Sequence, residues 1–487
     1  MLQLANILHT QGFEITIIHT EYNSPNHSNY PHFIFKSIRD RFFEIEHQLT
    51  KEDASFFVIY LNRSCEESFR DCLTRLLAED DEGSISCLIS YALFYFTQAV
   101  ADSLNLPRLA LRTTSLASAI AYGALPFASE IGCFNLTKGQ FLFRRILNIT
   151  SEPTFPYSNY EAPVPEFPLM KMKASSGIIW NTFKELEQPS LETIRQEFSV
   201  PSFTLGPFHK YFPASSSSLI EQDRTVLSWL DTQAPKSVIY SGLERFLYDV
   251  LTTMIARDAI RNATKHLTPP QMEVSRSRSF LTNLDSSYYL HGLYMTLENG
   301  ILVYDALEAA RITESAFQEL AHGLTNTGLP FLWVIRLGLI PGRSKWLECL
   351  PEKFLERLGD GGRIVKWAPQ EDVLAHPATG CFWTHCGWNS TLESIYEGVP
   401  MVCSPCFVDQ PVNARYVSDV WKIGVLLEDG FDRVGIERAI KRVMMEKEGE
   451  EIRERITTLK EKLNLSLEEG GSSHQSLKGL VDYILSF

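Results

Sequence analysis

Between Phe331 and Ser404 the chain passes through four short segments, FLWVI, RIVK, CFWT and MVCS, each parted from the next by a stretch with helical spacing. Short, mostly apolar runs that alternate with helices are the mark of parallel strands, because a parallel pair needs a crossover and is covered on both faces. The spacing predicts strands over Phe331–Ile335, Arg363–Lys366, Cys381–Thr384 and Met401–Ser404.

The same signature recurs upstream. Ser84–Ser90 reads as a buried strand, Phe94–Leu104 as a helix and Arg108–Leu111 as the next strand, a βαβ unit, and Gly177–Trp180 is a further strand. Ahead of them, Leu2–Thr10 has helical spacing stopped by Gly12, and Phe13–Ile18 alternates as a strand does. The chain therefore opens on a helix, whereas an α/β domain ordinarily opens on a strand whose following loop meets the ligand. Gly206–Pro235, with Ser215–Ser218 and several prolines, reads as a linker, and Val238–Tyr240 starts a second α/β unit.

From Ser241 to Arg311 the runs SRSRSF, PPQ and YYLHGLY keep neither period, so an aperiodic insert is expected there, from a translated intron or a faulty gene model rather than a functional insertion. Beyond Ile436 the sequence reads as a charged, amphipathic helical tail with a solvated face. The divisions are 1–208, a linker 209–235, a second domain 236–460 carrying the insert 241–311, and a helical tail 461–487.

A length of 487 residues is too great for one ordinary core and fits two large domains. Hydrophobic residues at 44% and charged residues at 21% belong to a globular chain, and a net charge of -14 argues against a nucleic-acid or anionic-membrane binder. Nine scattered cysteines suit a reducing compartment. Met1–Thr20 lacks a basic leader and no apolar run is long enough to span a bilayer, so a cytoplasmic protein is expected.

Chemistry concentrates in Trp367–Gln410, WAPQEDVLAHPATGCFWTHCGWNSTLESIYEGVPMVCSPCFVDQ. Thr384–Gly387 ends a strand, and Asn389 and Ser390 open a helix at a glycine turn. A helix start offers main-chain N–H groups and partial positive charge, so a pyrophosphate can bind there without a metal. Ser390 and Glu393 also match a capping box. Trp367, just past a strand, can stack on a base, His385 can donate to phosphate, Glu393 can accept from ribose, and Asp409 and Gln410 suit a sugar ring.

This segment resembles the signature box of the plant family 1 UDP-glycosyltransferases, and the resemblance extends over 1–240 and 312–487. It implies an α/β fold of GT-B type, two facing Rossmann-like doubly wound domains, with the first strand of the N-terminal domain missing. The N-terminal domain would bind the acceptor and the C-terminal domain UDP-glucose. Trp367 would stack on uracil, with the Ala368 backbone and Gln370 on the base and ribose. His385, Asn389 and Ser390 would contact the phosphates, Glu393 the ribose, and Trp388, Asp409, Gln410 and Thr113 the sugar. The closing glutamine points to glucose. The reaction would be one inverting displacement; no Asp-x-Asp pair occurs in the chain, in keeping with a site that needs no metal.

The family's base histidine lies in the loop before the segment matching Met1, so no catalytic base is identified. His9 falls on the first helix as a surface or interface residue; His19, at the carboxyl end of a strand, is the one substitute the spacing offers, its plainer role being a polar strand end. The aspartate that should orient the base is replaced by Tyr91, whose phenol cannot stand in for an ionised carboxylate.

Two rival readings follow. Cys403 and Cys406 form a C-x-x-C and Cys386 adjoins His385, but a redox motif should open a helix and this one straddles a strand end. The other is a catalytically impaired relic that at most binds UDP-sugar. The acceptor loops fall around Phe127–Tyr160, rich in phenylalanine and proline, so a small apolar acceptor such as a flavonoid, terpenoid or hormone is expected, met by a monomer.

Overall fold

The computed structural model describes residues 1–21, 24–40, 61–79, 85–121, 172, 174–211, 222–242, 314–335, 350–352, 354–406, 409–428 and 431–487. The strands fall into two groups. The first half carries β1 (Thr16–Thr20), β2 (Ile34–Ile38), β3 (Leu88–Tyr91), β4 (Arg108–Arg112), β5 (Gly177–Trp180) and β6 (Ser202–Thr204). The second carries β7 (Val238–Gly242), β8 (Phe331–Val334), β9 (Gly362–Val365), β10 (Thr379–Thr384), β11 (Met401–Cys403) and β12 (Gly424–Leu426).

In the second half all six strands form one parallel sheet in the order β12-β11-β10-β7-β8-β9. The chain leaves β7 toward one edge, then returns to lay β10 on its other side. At such a reversal the helices diverge to opposite faces and open a crevice beyond the strand ends, here where Gly242 pairs with Thr384. β10 is buried along its whole length because successive side chains feed opposite layers. Cys381 and Trp383 enter the layer with Phe317 and Ile440. Phe382 stacks on Tyr240 at 5.1 Å in the other layer, with Leu392 and Ile395.

The first half is divided. β3-β4-β5-β6 is one parallel sheet, and β1-β2 is a separate parallel pair. Yet β1 and β3 share both covering layers. Ile18 and Leu88 lie against one core with Val100 and Phe96, while Ile15 and Ile89 lie against another with Leu4, Ile7 and Leu109. The described part of this half is thus a parallel pair and a four-stranded parallel sheet that share their covering layers.

Several boundaries differ from the sequence expectation. β1 begins at Thr16 rather than Phe13, because the Phe13 amide closes the first helix on the Leu8 carbonyl at 3.3 Å. β3 begins only at Leu88, where pairing with Arg108 starts. β7 runs to Gly242, two residues into the segment read as an insert, because Ser241 and Gly242 pair with both β8 and β10; 243–313 lies outside the described residues. The linker contains a helix, Thr225–Leu230, whose Val226, Trp229 and Leu230 join the second-half core.

The helical tail is likewise no free appendage. Its last helix, Ser472–Ile484, returns to the first half and packs Leu477, Leu480 and Ile484 beside Leu109 and Ile179. These residues recur at helical spacing, which gives the helix one apolar face to bury. Tyr483 adds a 2.7 Å hydrogen bond to the Ser176 carbonyl. No described helix is long and apolar enough to cross a membrane.

Candidate active site

The crevice beyond β7 and β10 gathers most of the residues singled out in Trp367–Gln410. β10 delivers His385, which is 1% exposed, and then turns through Cys386 at φ 65°. That left-handed conformation costs a non-glycine residue about 1 kcal/mol. It is held on both sides: the Cys386 amide donates to Thr384 Oγ1 at 3.1 Å, and its carbonyl accepts from Asn413 Nδ2 at 3.0 Å. The turn aims the helix Trp388–Glu397 with its first main-chain N–H groups toward the crevice.

That helix starts at Trp388 with Gly387 as its cap, and no side chain caps it, so the capping box expected of Ser390 and Glu393 does not form. Ser390 sits three residues past the cap, inside the first turn. Both side chains instead meet Gln370, the first residue of the helix after β9: its Nε2 donates to Ser390 Oγ at 3.1 Å and to Glu393 Oε2. Gln370 is 7% exposed, and its Oε1 is buried with no partner. Ala368 is buried beside it, and Trp367 is half-buried, its carbonyl accepting from the Asp223 amide at 2.9 Å.

Past β11, Asp409 precedes the helix Gln410–Arg415 and is 3% exposed. Gln410 is fully buried and turns its Oε1 onto the Cys406 amide at 2.8 Å, which fixes the loop leaving β11. Trp388, expected on the sugar, turns its indole inward. Its indole is 3% exposed in the core and donates at 2.7 Å to the carbonyl of Asn181, beyond β5 of the first half. Asn181 also donates to Asn389 Oδ1 at 3.0 Å, so Asn389, expected on phosphate, is tied to the facing domain.

The first-half residues form a thinner arrangement. Tyr91 ends β3, and its hydroxyl lies 3.0 Å from Thr113 Oγ1, just past β4. His19 lies on β1, where its Nδ1 is 3.0 Å from the Thr20 carbonyl and its Nε2 3.3 Å from Nε2 of His27. His9 stacks on His32 at 4.6 Å, which makes it a packing residue of the first helix. The acceptor loops at 127–160 lie outside the described residues.

Cys386 and Cys403 do approach one another, but burial raises the Cys386 thiol well above its usual value, with Cys403 adding to the shift, and burial raises Cys406 too. Thiols held protonated are poor ligands and poor nucleophiles. Among the described residues no group of three or more His, Cys, Asp or Glu is placed to hold a metal.

A profile described as UDP-glucoronosyl and UDP-glucosyl transferase matches residues 294–461. UDP-glycosyltransferase 76B1 of Arabidopsis thaliana is 40% identical over 512 residues, an alignment covering 100% of this chain and 95% of that protein. The chain belongs to the plant UDP-glycosyltransferases. UDP-glycosyltransferase 76G1 of Stevia rebaudiana is also 40% identical, over 100% of this chain and 94% of its own. Among solved structures, Os79 from O. sativa in complex with UDP matches with a TM-score of 0.69 at 22% identity, covering 99% of this chain and 96% of that one. The UGT2 of Phytolacca americana, complexed with UDP-2fluoro-glucose and pterostilbene, matches with a TM-score of 0.67 at 20% identity, over 99% and 94%. These likenesses establish the GT-B fold, and membership of the family establishes glycosyl transfer from a UDP-sugar. The match from residue 294 takes in the end of the segment read as an insert, so the family's sequence resumes before Ile312.

In this UDP-glycosyltransferase the polar residues that bridge the domains were not singled out by sequence reasoning. Asn181, Ser115, Ser118 and Asn413 are 6%, 1%, 0% and 1% exposed. Glu187 is 1% exposed and accepts from the Leu116 amide at 3.2 Å, the Ala117 amide at 3.1 Å and Thr182 Oγ1 at 2.7 Å. Burial raises its carboxyl to about 7 even though these three donors pull it down. Only for Asn413 was a signal legible: it stands four residues past Asp409, one helical turn on and on the same face.

Proposed function

We propose that this UDP-glycosyltransferase moves glucose from UDP-glucose to a hydroxyl or carboxyl oxygen of a small apolar acceptor, with inversion and without a metal. The observation that carries the reading is the Gln370 carboxamide. Its Nε2 is held by Ser390 and Glu393, while Oε1 is buried and unpartnered. A buried oxygen without a donor costs about 1–3 kcal/mol, which an N–H or O–H of a bound nucleoside would offset. Trp367 at the mouth supports stacking on the base, and Asp409 and Gln410 beyond the neighbouring strand support recognition of a hexose.

In the displacement the acceptor oxygen forms a bond to the anomeric carbon as the bond to the β-phosphate oxygen breaks. UDP departs with the electron pair and the acceptor proton passes to a base. The charge that develops on the diphosphate would meet the main-chain N–H groups at the start of Trp388–Glu397 and the side chain of His385. Both are fixed before the reaction, so no reorganisation is needed when charge appears.

A second reading is favoured by Tyr91. Where an orienting carboxylate is expected, a phenol bonds Thr113, and a phenol with an ordinary pKa of about 10 is a poor partner for an imidazolium. On this reading the chain holds UDP-glucose but turns it over slowly. Calorimetry with UDP and UDP-glucose on the full chain, beside UDP release in the presence of a small phenol, separates the two. Saturable binding with steady release supports the transferase; binding without release supports the second reading; no binding of either nucleotide sinks both.

A further inference from the structure

Asn413 uses every hydrogen-bonding group of its carboxamide, and it does so between the two domains. Its Oδ1 accepts from Ser115 Oγ at 2.8 Å and lies 3.2 Å from Ser118 Oγ, both in the first half. Its Nδ2 donates to Asp409 Oδ2 and to the Cys386 carbonyl, each at 3.0 Å, both in the donor site. The orientation follows from chemistry. A carboxylate and a carbonyl only accept, so the NH2 must face them and the oxygen must face the hydroxyls.

The first-half partners are themselves anchored. Ser118 donates its amide to Ser115 Oγ at 3.1 Å, and the helical turn over 116–121 begins on the Glu187 carboxyl. A continuous buried path therefore runs from Glu187 through Ser115 and Ser118 to Asn413 and on to Asp409. Fixing one oxygen of a carboxylate sets the plane of the other. The apposition of the domains thereby bears on the direction in which Asp409 can accept.

We propose that Asn413 is a positioning residue that orients the Asp409 carboxylate for the transferred sugar, and that it is set by Ser115 and Ser118, so that recognition of the sugar depends on the domains being closed. The proposal rests on the reading of Asp409 as a sugar contact. It separates sugar recognition from recognition of the nucleoside, which Gln370 and Glu393 carry without touching Asn413.

The test compares UDP with UDP-glucose by calorimetry on the full chain, with thermal unfolding as a check on folding. Asn413→Ala is expected to weaken UDP-glucose about tenfold and UDP by less than about twofold, the loss of a charge-assisted hydrogen bond. Ser115→Ala with Ser118→Ala leaves the donor domain untouched and is expected to weaken UDP-glucose alone, by about threefold. Asn413→Asp keeps an acceptor for the serines but sets a second carboxylate against Asp409. Its UDP-glucose affinity should fall further and recover as the pH is lowered and the pair takes up a proton.

Equal losses for both nucleotides would overturn the proposal and leave Asn413 a brace of the Cys386 turn. Losses in the Asn413 variants with none in the serine variant would overturn the dependence on closure. Failure of the unaltered chain to bind UDP would instead strike the functional reading, and this proposal with it.

Discussion

The loops past the carboxyl ends of the strands in the two halves meet one another, and the two sets of strand ends are built to different standards. In the second half β9, β10 and β11 belong to one continuous sheet, and each ends in a loop whose polar side chains are buried and bonded to one another. In the first half the corresponding ends belong to two sheets. β1 has no fully buried residue and β3 has one, whereas β10 is buried throughout. A loop can hold a side chain within a few tenths of an ångström only if the strand beneath it is gripped on both edges and both faces. On the donor side β10 and β11 meet this condition, while β9 stands at the sheet edge. The side expected to supply the base meets it in part.

The sharpest way to break the comparison is to truncate one strand side chain on each side. Phe382→Ala on β10 should cost about 3–5 kcal/mol, because the site is enclosed by Tyr240 and Leu392 and cannot collapse. Ile17→Ala on β1 should cost about 1 kcal/mol, since that side chain is only half-buried. Urea unfolding read by circular dichroism measures both. Similar costs would mean that the first half is as tightly packed as the second.

A smaller effect concerns a buried acid of the first half. Glu187 has its carboxyl raised by burial from 4.5 to about 7, so the folded chain binds a proton that the unfolded chain has released. The stabilisation is fully present below about pH 4.5 and is lost as the pH climbs through about 7, by about 3 kcal/mol in all. Glu187→Gln cannot ionise. The difference in stability between it and the unaltered chain should therefore slope across that window and flatten above it. Parallel pH profiles for the two proteins would show that the three donors keep this carboxyl ionised, and that the interface turn over 116–121 does not loosen with pH.

The donor side was also the more legible in sequence, for the same physical reason. A strand covered on both faces writes itself as a continuous apolar run, as in CFWT, and the loop that follows it is marked by residues with little other reason to be there, such as His385 and Asp409. The helix cap at Gly387 lies three residues ahead of Ser390, because serine and glutamate at capping spacing are the stronger sequence signal than glycine, and only tertiary contact with Gln370 shows otherwise. Asn181, Ser115 and Glu187 left no trace, because a buried polar residue that bonds across a domain interface has no partner at a fixed separation along the chain. The last helix was legible as amphipathic but not what its apolar face covers, for a related reason: the partners lie about three hundred residues or more earlier, at Leu109 and Ile179.

The smallest expected effect sharpens the comparison most directly. Tyr91→Phe removes the hydroxyl that meets Thr113 at 3.0 Å and leaves the ring in the core shared by Ile89 and Leu111. If Tyr91 is a structural replacement for a lost catalytic partner, the variant should unfold within about 1 kcal/mol of the unaltered chain and bind UDP-glucose within about twofold, because Thr113 can turn its hydroxyl to water. Any turnover should persist at the same rate. A fall in the rate of UDP release of tenfold or more, with binding unchanged, would give the phenol a part in moving the acceptor proton. The first half would then carry chemistry of its own, built on an oxygen that neither its spacing nor its charge advertises.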